Sequence, residues 1–196
     1  MMKILRIILT ALVLVGGGIM VAHPAAAQTT DDCGKRNPPF PKQDSSKVER
    51  TVQTAVGAIP LRRGFYCVPK SAEGNEVAEA TYGFGFGMDK VRYRHHITKI
   101  KVVEFPLKES SPRMNERGVY EFHATARMKR CSESGTDCEI IKKQPVIAVA
   151  STRKEDEYYG MPGGDPLGLM TFYCDYGDPT RLRCEPWVNT ALSIFK

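Results

Sequence analysis

Val48, Val52, Ala55, Val56 and Ile59 recur at spacings of three and four. Ser46-Lys47-Val48-Glu49 ahead of them has the form of a capping box, and Pro60 closes the run. The pattern predicts one amphipathic helix over 46–59. Beyond it the period falls to two. Short strands are predicted over 64–68 and 77–88, the second with Gly83, Gly85 and Gly87 on one face and Tyr82, Phe84 and Phe86 on the other. Glycine at alternate positions strips a face of side chains, so another segment is expected to pack closely there. A long strand is predicted over 91–105, with a phase slip near Thr98 that suggests a bulge. Residues 108–118 read as a polar loop.

The clearest alternation is Val119–Met128, with Tyr120, Phe122, Ala124, Ala126 and Met128 inward and Glu121, His123, Thr125 and Arg127 outward. The return strand over 139–150 carries Pro145, which marks an edge or a bulge. Leu169–Cys174 and Leu182–Trp187 read as a last hairpin, and 188–195 as a strand or a short helix. One early helix followed by hairpins is an α+β pattern. The expected architecture is an antiparallel sheet of about five to seven strands, with the N-terminal amphipathic helix packed on one face and disulfides bracing the hairpins.

The first 27 residues change the setting. Lys3 and Arg6 precede an uncharged apolar stretch from Ile7 to Ala22, and Ala25-Ala26-Ala27 offers small residues at a cut before Gln28. This is the three-part form of a secretory signal. Its 16-residue apolar core is short of the roughly 20 residues a spanning helix takes. Cleavage leaves 196 − 27 = 169 residues and a charge of 26 − 22 = +4. Residues 28–43, with Asn37-Pro38-Pro39-Phe40-Pro41, read as an extended tail, and 44–196 as a single α+β domain. The expected location is the periplasm or the cell exterior.

All six cysteines lie beyond the signal, and an even number in an oxidising compartment predicts disulfides. Cys131 and Cys138 flank a Ser/Gly/Asp turn, and Cys174 and Cys184 flank Gly177-Asp178-Pro179. Each pair is placed to bridge. Cys33 and Cys67 remain as the third pair. No paired Cys-x-x-Cys ligands suggest zinc, and adjacent His95 and His96 on a strand would point to opposite faces. No metal or other cofactor is expected.

Candidate catalytic chemistry is sparse. No Gly-x-Ser-x-Gly elbow is present, and His123 lies on a polar strand face with no orienting group evident in the sequence. Glu104, Glu121 and Asp175 are the carboxylates that a glycan hydrolase could use. Two surfaces carry more signal. Arg92, Arg94 and His96, with Lys99 and Lys101 after the slip, form a predicted basic strand face suited to an acidic partner. The loop around Tyr158, Tyr159 and Met161 has the composition of an interface core among glycines and prolines.

The leading expectation is therefore an exported, disulfide-bonded binding protein that inhibits a protein partner in the cell envelope, of immunity or hydrolase-inhibitor type. An acidic cell-wall polymer or an anionic lipid would also suit the basic face. Nucleic acid suits the charge but not the compartment. The alternatives are an envelope hydrolase acting on glycan or peptide, and a structural subunit of an envelope or secretion assembly.

Overall fold

The computed structural model describes residues 44–155 and 164–194. The predicted signal peptide, the Pro-rich tail, Cys33, Tyr158, Tyr159 and Met161 lie outside the described residues. The described residues form an α+β fold of three α-helices and antiparallel strands.

The predicted first helix is instead a hairpin. β1 (Val48–Thr54) pairs with β2 (Gly57–Arg62), Thr51 opposite Pro60 and Val52 opposite Ile59. The reason lies in the spacing. Val48 and Val52 are four apart, a separation that keeps residues on one face in a helix and in a strand alike. The β-branched composition of Val48-Glu49-Arg50-Thr51-Val52-Gln53-Thr54 favours the strand. Val52, Ile59 and Leu61 become core residues.

The predicted strand over 77–88 divides into three elements. α1 (Glu76–Tyr82) starts at Asn75, whose side chain accepts a hydrogen bond from the Ala78 amide at 3.1 Å. β4 (Phe84–Phe86) then pairs with β3 (Phe65–Cys67), Phe65 opposite Phe86, and α2 (Gly87–His95) follows at once. The expected close approach is present, and its source is another strand. At Gly85, where φ is +141°, a Cβ would lie 2.1 Å from the Phe65 carbonyl oxygen. At Gly87, φ +74°, it would lie 2.8 Å from that of Arg62.

The predicted long strand over 91–105 is also corrected. It is the end of α2 and most of α3 (Ile100–Glu109). Met88, Val91 and His95 are buried at helical spacing, whereas Tyr93, which a strand would place beside Val91 and His95, is 63% exposed. The slip near Thr98 is the break between helices, where His96 takes the left-handed conformation (φ 57°).

The single predicted sheet is three. β1–β2 and β3–β4 are two-stranded, and the third is a meander in the order β5-β6-β7-β8. β5 (Pro112–Met114) falls inside the predicted polar loop. β6 (Tyr120–Cys131) and β7 (Cys138–Glu155) match the two clearest predicted strands, and β8 (Asp165–Cys174) is the third. Pro145 sits where β7 becomes an edge. β8 pairs from Val146 onward, and the Pro145 carbonyl accepts from the Asp175 amide just past the end of β8. The predicted partner strand over 182–187 is absent: 181–185 is irregular and leads into a 3-10 helix, Pro186–Ile194.

Disulfides join Cys131 to Cys138 at the tip of β6–β7, and Cys174 to Cys184. No described cysteine is free. The inner sheet face, with Phe122, Ala126, Ala148, Leu169 and Phe172, meets Val103 and Leu107 of α3 and Val91 of α2 in one core. A second cluster of Phe65, Phe86 and Leu167 holds the β3–β4 ribbon to β8, with Phe65 and Phe86 edge to face at 5.8 Å. No helix among the described residues is long and apolar enough to cross a membrane.

Candidate functional site: a basic cleft beside β8

α2 buries Met88, Val91 and His95 in the protein, which turns Lys90 and Arg94, one turn apart, toward the edge strand β8. Arg94 is fixed by its own chain. Nη1 donates to the Gly83 carbonyl at 2.8 Å and Nη2 to that of Ala80 at 3.1 Å. Its Nε–H is buried without a partner. Burial, its largest influence, pulls this guanidinium below its ordinary value.

Lys90 is largely enclosed, and no carboxylate among the described residues lies within ion-pair distance. Burial, aided by the charge on Arg94, lowers its ammonium from 10.5 to about 8. At the end of α2, His95 Nδ1–H donates to the Leu182 carbonyl at 2.8 Å, and burial drives the ring down to about 3, so the imidazole is neutral. The His95 carbonyl accepts from the Cys184 amide at 3.1 Å. The 182–184 segment is thereby pinned to α2, while the Cys174–Cys184 bridge ties it to β8.

These elements enclose a cleft with two lobes, of about 760 and 450 Å³. Lys90, Arg117, Thr171 and Tyr173 line both lobes, so they mark where the lobes meet. The larger lobe adds Arg94, Arg181, Asp175 and Asp178. The smaller adds Arg153 and Glu121. Arg181 stacks over the Tyr176 ring at 3.7 Å. Asp178 accepts from the Thr180 amide at 2.9 Å and hydroxyl at 2.7 Å, so that carboxylate serves its own turn. Thr171 Oγ1 is buried without a partner, one of three such atoms among the described residues, with Arg94 Nε and Tyr66 Oη. Tyr173 is raised by burial first, then by Glu121 and Asp175.

The residues predicted as a single basic face do not share one. The 100° turn of a helix separates what the 180° alternation of a strand would align. Arg94 points into the cleft. Arg92 points away and forms a bidentate pair with Glu49, plus a 3.3 Å contact with Asp89. Arg92, Lys99 and Lys101, with Arg50, line a separate depression of about 560 Å³. His96 is exposed at the end of α2, its carbonyl accepting from Asn189 Nδ2 at 2.8 Å.

The expectation that nothing orients His123 is corrected. Its Nε2 lies 3.2 Å from Glu121 Oε2, and Asn115 Nδ2 donates to Glu121 Oε1 at 2.7 Å. Of the other candidate carboxylates, Glu104 is held between Arg50 and Lys108, both at 2.8 Å. Burial works to raise it, and the two cations more than offset this, leaving it below the usual carboxylate value. Asp175 lines the larger lobe. Lys90, Arg117, Thr171 and Tyr173 were not anticipated. The signal was the i, i+4 pair Lys90–Arg94, which shows only when the helical period is used. Among the described residues no cluster of three His, Cys, Asp or Glu could hold a metal. No protein-family model, curated protein or solved structure matches the chain.

Proposed function

We propose that this is an exported, disulfide-braced binding protein of the cell envelope, and that it engages and inhibits a protein partner through the cleft beside β8. The observation that carries the reading is Lys90. A cation enclosed without a carboxylate costs stability, and proteins retain such strain where a ligand relieves it. The cleft is walled by a helix and a sheet edge, and the Cys174–Cys184 bridge anchors its rim. That rigidity suits a preformed receptor. Crosslinking of the mature protein in its native envelope tests the reading. A partner captured by wild type and lost from both Lys90→Gln and Arg117→Gln supports it. A partner captured equally by both variants removes the cleft from the account. Retention of glycan or lipid, with no protein, redirects it to the Arg50–Lys99–Lys101 depression. Variants at Tyr158, Tyr159 and Met161 show whether that loop shares the interface.

The Asn115–Glu121–His123 chain favours a second reading, an envelope hydrolase with His123 as general base. Turnover of peptidoglycan or peptide that both Glu121→Gln and His123→Ala abolish would establish it.

A further inference from the structure

The donors where the two lobes meet differ in kind and number from an ordinary solvated basic surface. Lys90 brings an ammonium with no carboxylate within ion-pair distance among the described residues. Arg94, beside it in the larger lobe, donates once from each terminal nitrogen to a backbone carbonyl, and its Nε–H is buried without a partner. Thr171 keeps a single buried hydroxyl. Arg117 closes the set with a guanidinium that has no side-chain partner within the described fold. Leaving buried donors unpaired is costly, and a group entering the cleft would complete them.

We propose that this point is a receptor for one carboxylate, presented on an apolar or aromatic body that lies along Tyr173 and Met170, both of which line the smaller lobe. The inference rests on the binding-protein reading and names the group recognised. Two oxygens can be shared among the ammonium, the Arg94 Nε–H, the Thr171 hydroxyl and the Arg117 fork. A phosphate dianion suits the site less well. Glu121, Asp175 and Asp178 line the same cleft and oppose a second negative charge. The carboxylate can come from an acidic side chain or C-terminus of the protein partner, or from an acidic sugar.

A pH signature follows. Lys90 shares the cleft with Arg94 and His95 of α2, Arg117, Glu121 of β6, Arg153 of β7, Tyr173 of β8, and Asp175, Tyr176, Asp178 and Arg181 beyond it. Burial holds His95 neutral and raises Tyr173 above its ordinary value, so neither changes charge between pH 7 and 9.5. Lys90, at about 8, loses its charge in that interval. A bound carboxylate favours the ammonium, so affinity is full below about pH 7, about half near pH 8, and falls further toward pH 9.5.

The probe is benzoate, titrated into the whole mature protein by NMR, with benzamide as the neutral isostere and inorganic phosphate as the competing anion. The expected result is saturable benzoate binding that shifts the Thr171 and Lys90 resonances and weakens above pH 8. Lys90→Gln should lower affinity at least tenfold, and Thr171→Val by a few-fold with the fold unchanged. Arg92→Gln, in the separate depression, should change nothing. Equal binding of benzamide, tighter binding of phosphate, or full benzoate affinity in Lys90→Gln would each overturn the assignment. Benzoate that blocks crosslinking of the protein partner identifies a protein carboxylate as the natural group. Displacement by glucuronate of bound glycan identifies an acidic sugar. Partner capture that needs Lys90 while benzoate never binds would end the carboxylate inference and leave the binding reading standing. Partner capture indifferent to Lys90 would end both.

Discussion

Replacing Lys90 with methionine should make the protein more stable while removing one cation from the cleft. Burial lowers the ammonium from 10.5 to about 8. At 1.36 kcal/mol per decade, this is about 3 kcal/mol held against the charged form at neutral pH. Methionine keeps the length and the apolar stem of lysine and removes the charge, so Lys90→Met should gain about 1–3 kcal/mol at pH 7. In a protein of this size, each kcal/mol moves Tm by about 2–4 °C. The sign with pH is fixed by the direction of the shift. Because the folded value lies below the unfolded one, the unfolded chain binds more protons between pH 8 and 10.5. Wild-type stability therefore rises through that window relative to the variant. Urea unfolding of both proteins, followed by circular dichroism from pH 7 to 10, should show a gap that is widest at pH 7 and closes with rising pH. A variant that is less stable at pH 7, or a gap that does not move with pH, would mean that Lys90 is adequately paired and is no receptor for an anion.

Glu104→Gln should cost about 1–3 kcal/mol by leaving Arg50 and Lys108 without their shared carboxylate, and a double-mutant cycle with Arg50→Ala should recover part of that loss. His95, near 3 in the fold and 6.5 when free, binds its proton more readily in the unfolded chain, so stability should fall as pH drops from 6.5 toward 3. His95→Gln, which keeps a donor for the Leu182 carbonyl, should flatten that acid limb in a pH series of melting curves. Removing Cys174–Cys184, which closes a separation of 10 residues, should cost about 3 kcal/mol and weaken binding in the cleft, whereas Cys131→Ser with Cys138→Ser should leave binding intact. His96→Gly should raise stability by about 1 kcal/mol in thermal melts, since glycine takes the left-handed conformation at φ 57° without strain.

Strict alternation with few glycines, as in Val119–Met128, was legible because a two-residue period held over ten positions has no helical counterpart. The turn-flanked cysteine pairs were legible because short loops leave little choice of partner. The helices were misread for a common reason. Val48 and Val52, and Val91 and His95, are separated by four residues, which both periods place on one face. At β1 the β-branched composition decided for strand, while at α2 the partner face of Met88 and Val91 decided for helix. The basic residues were recognised, but their grouping depended on the period assumed. Arg94 and Arg92 therefore parted onto different surfaces, and Lys90 gained its place beside Arg94. The pairing of Arg92 with Glu49 and the burial of Lys90 against β8 are long-range consequences of packing that no local pattern encodes.

Photocrosslinking from position 179 on the rim of the larger lobe, compared with position 101 in the separate depression, tests the central claim most directly. With the probe carried by the mature protein in its native envelope, position 179 should trap one protein, and an added Lys90→Gln change should abolish that product. A product formed from position 101 alone, or one from position 179 that persists in Lys90→Gln, would contradict the claim that the cleft beside β8 is the binding site.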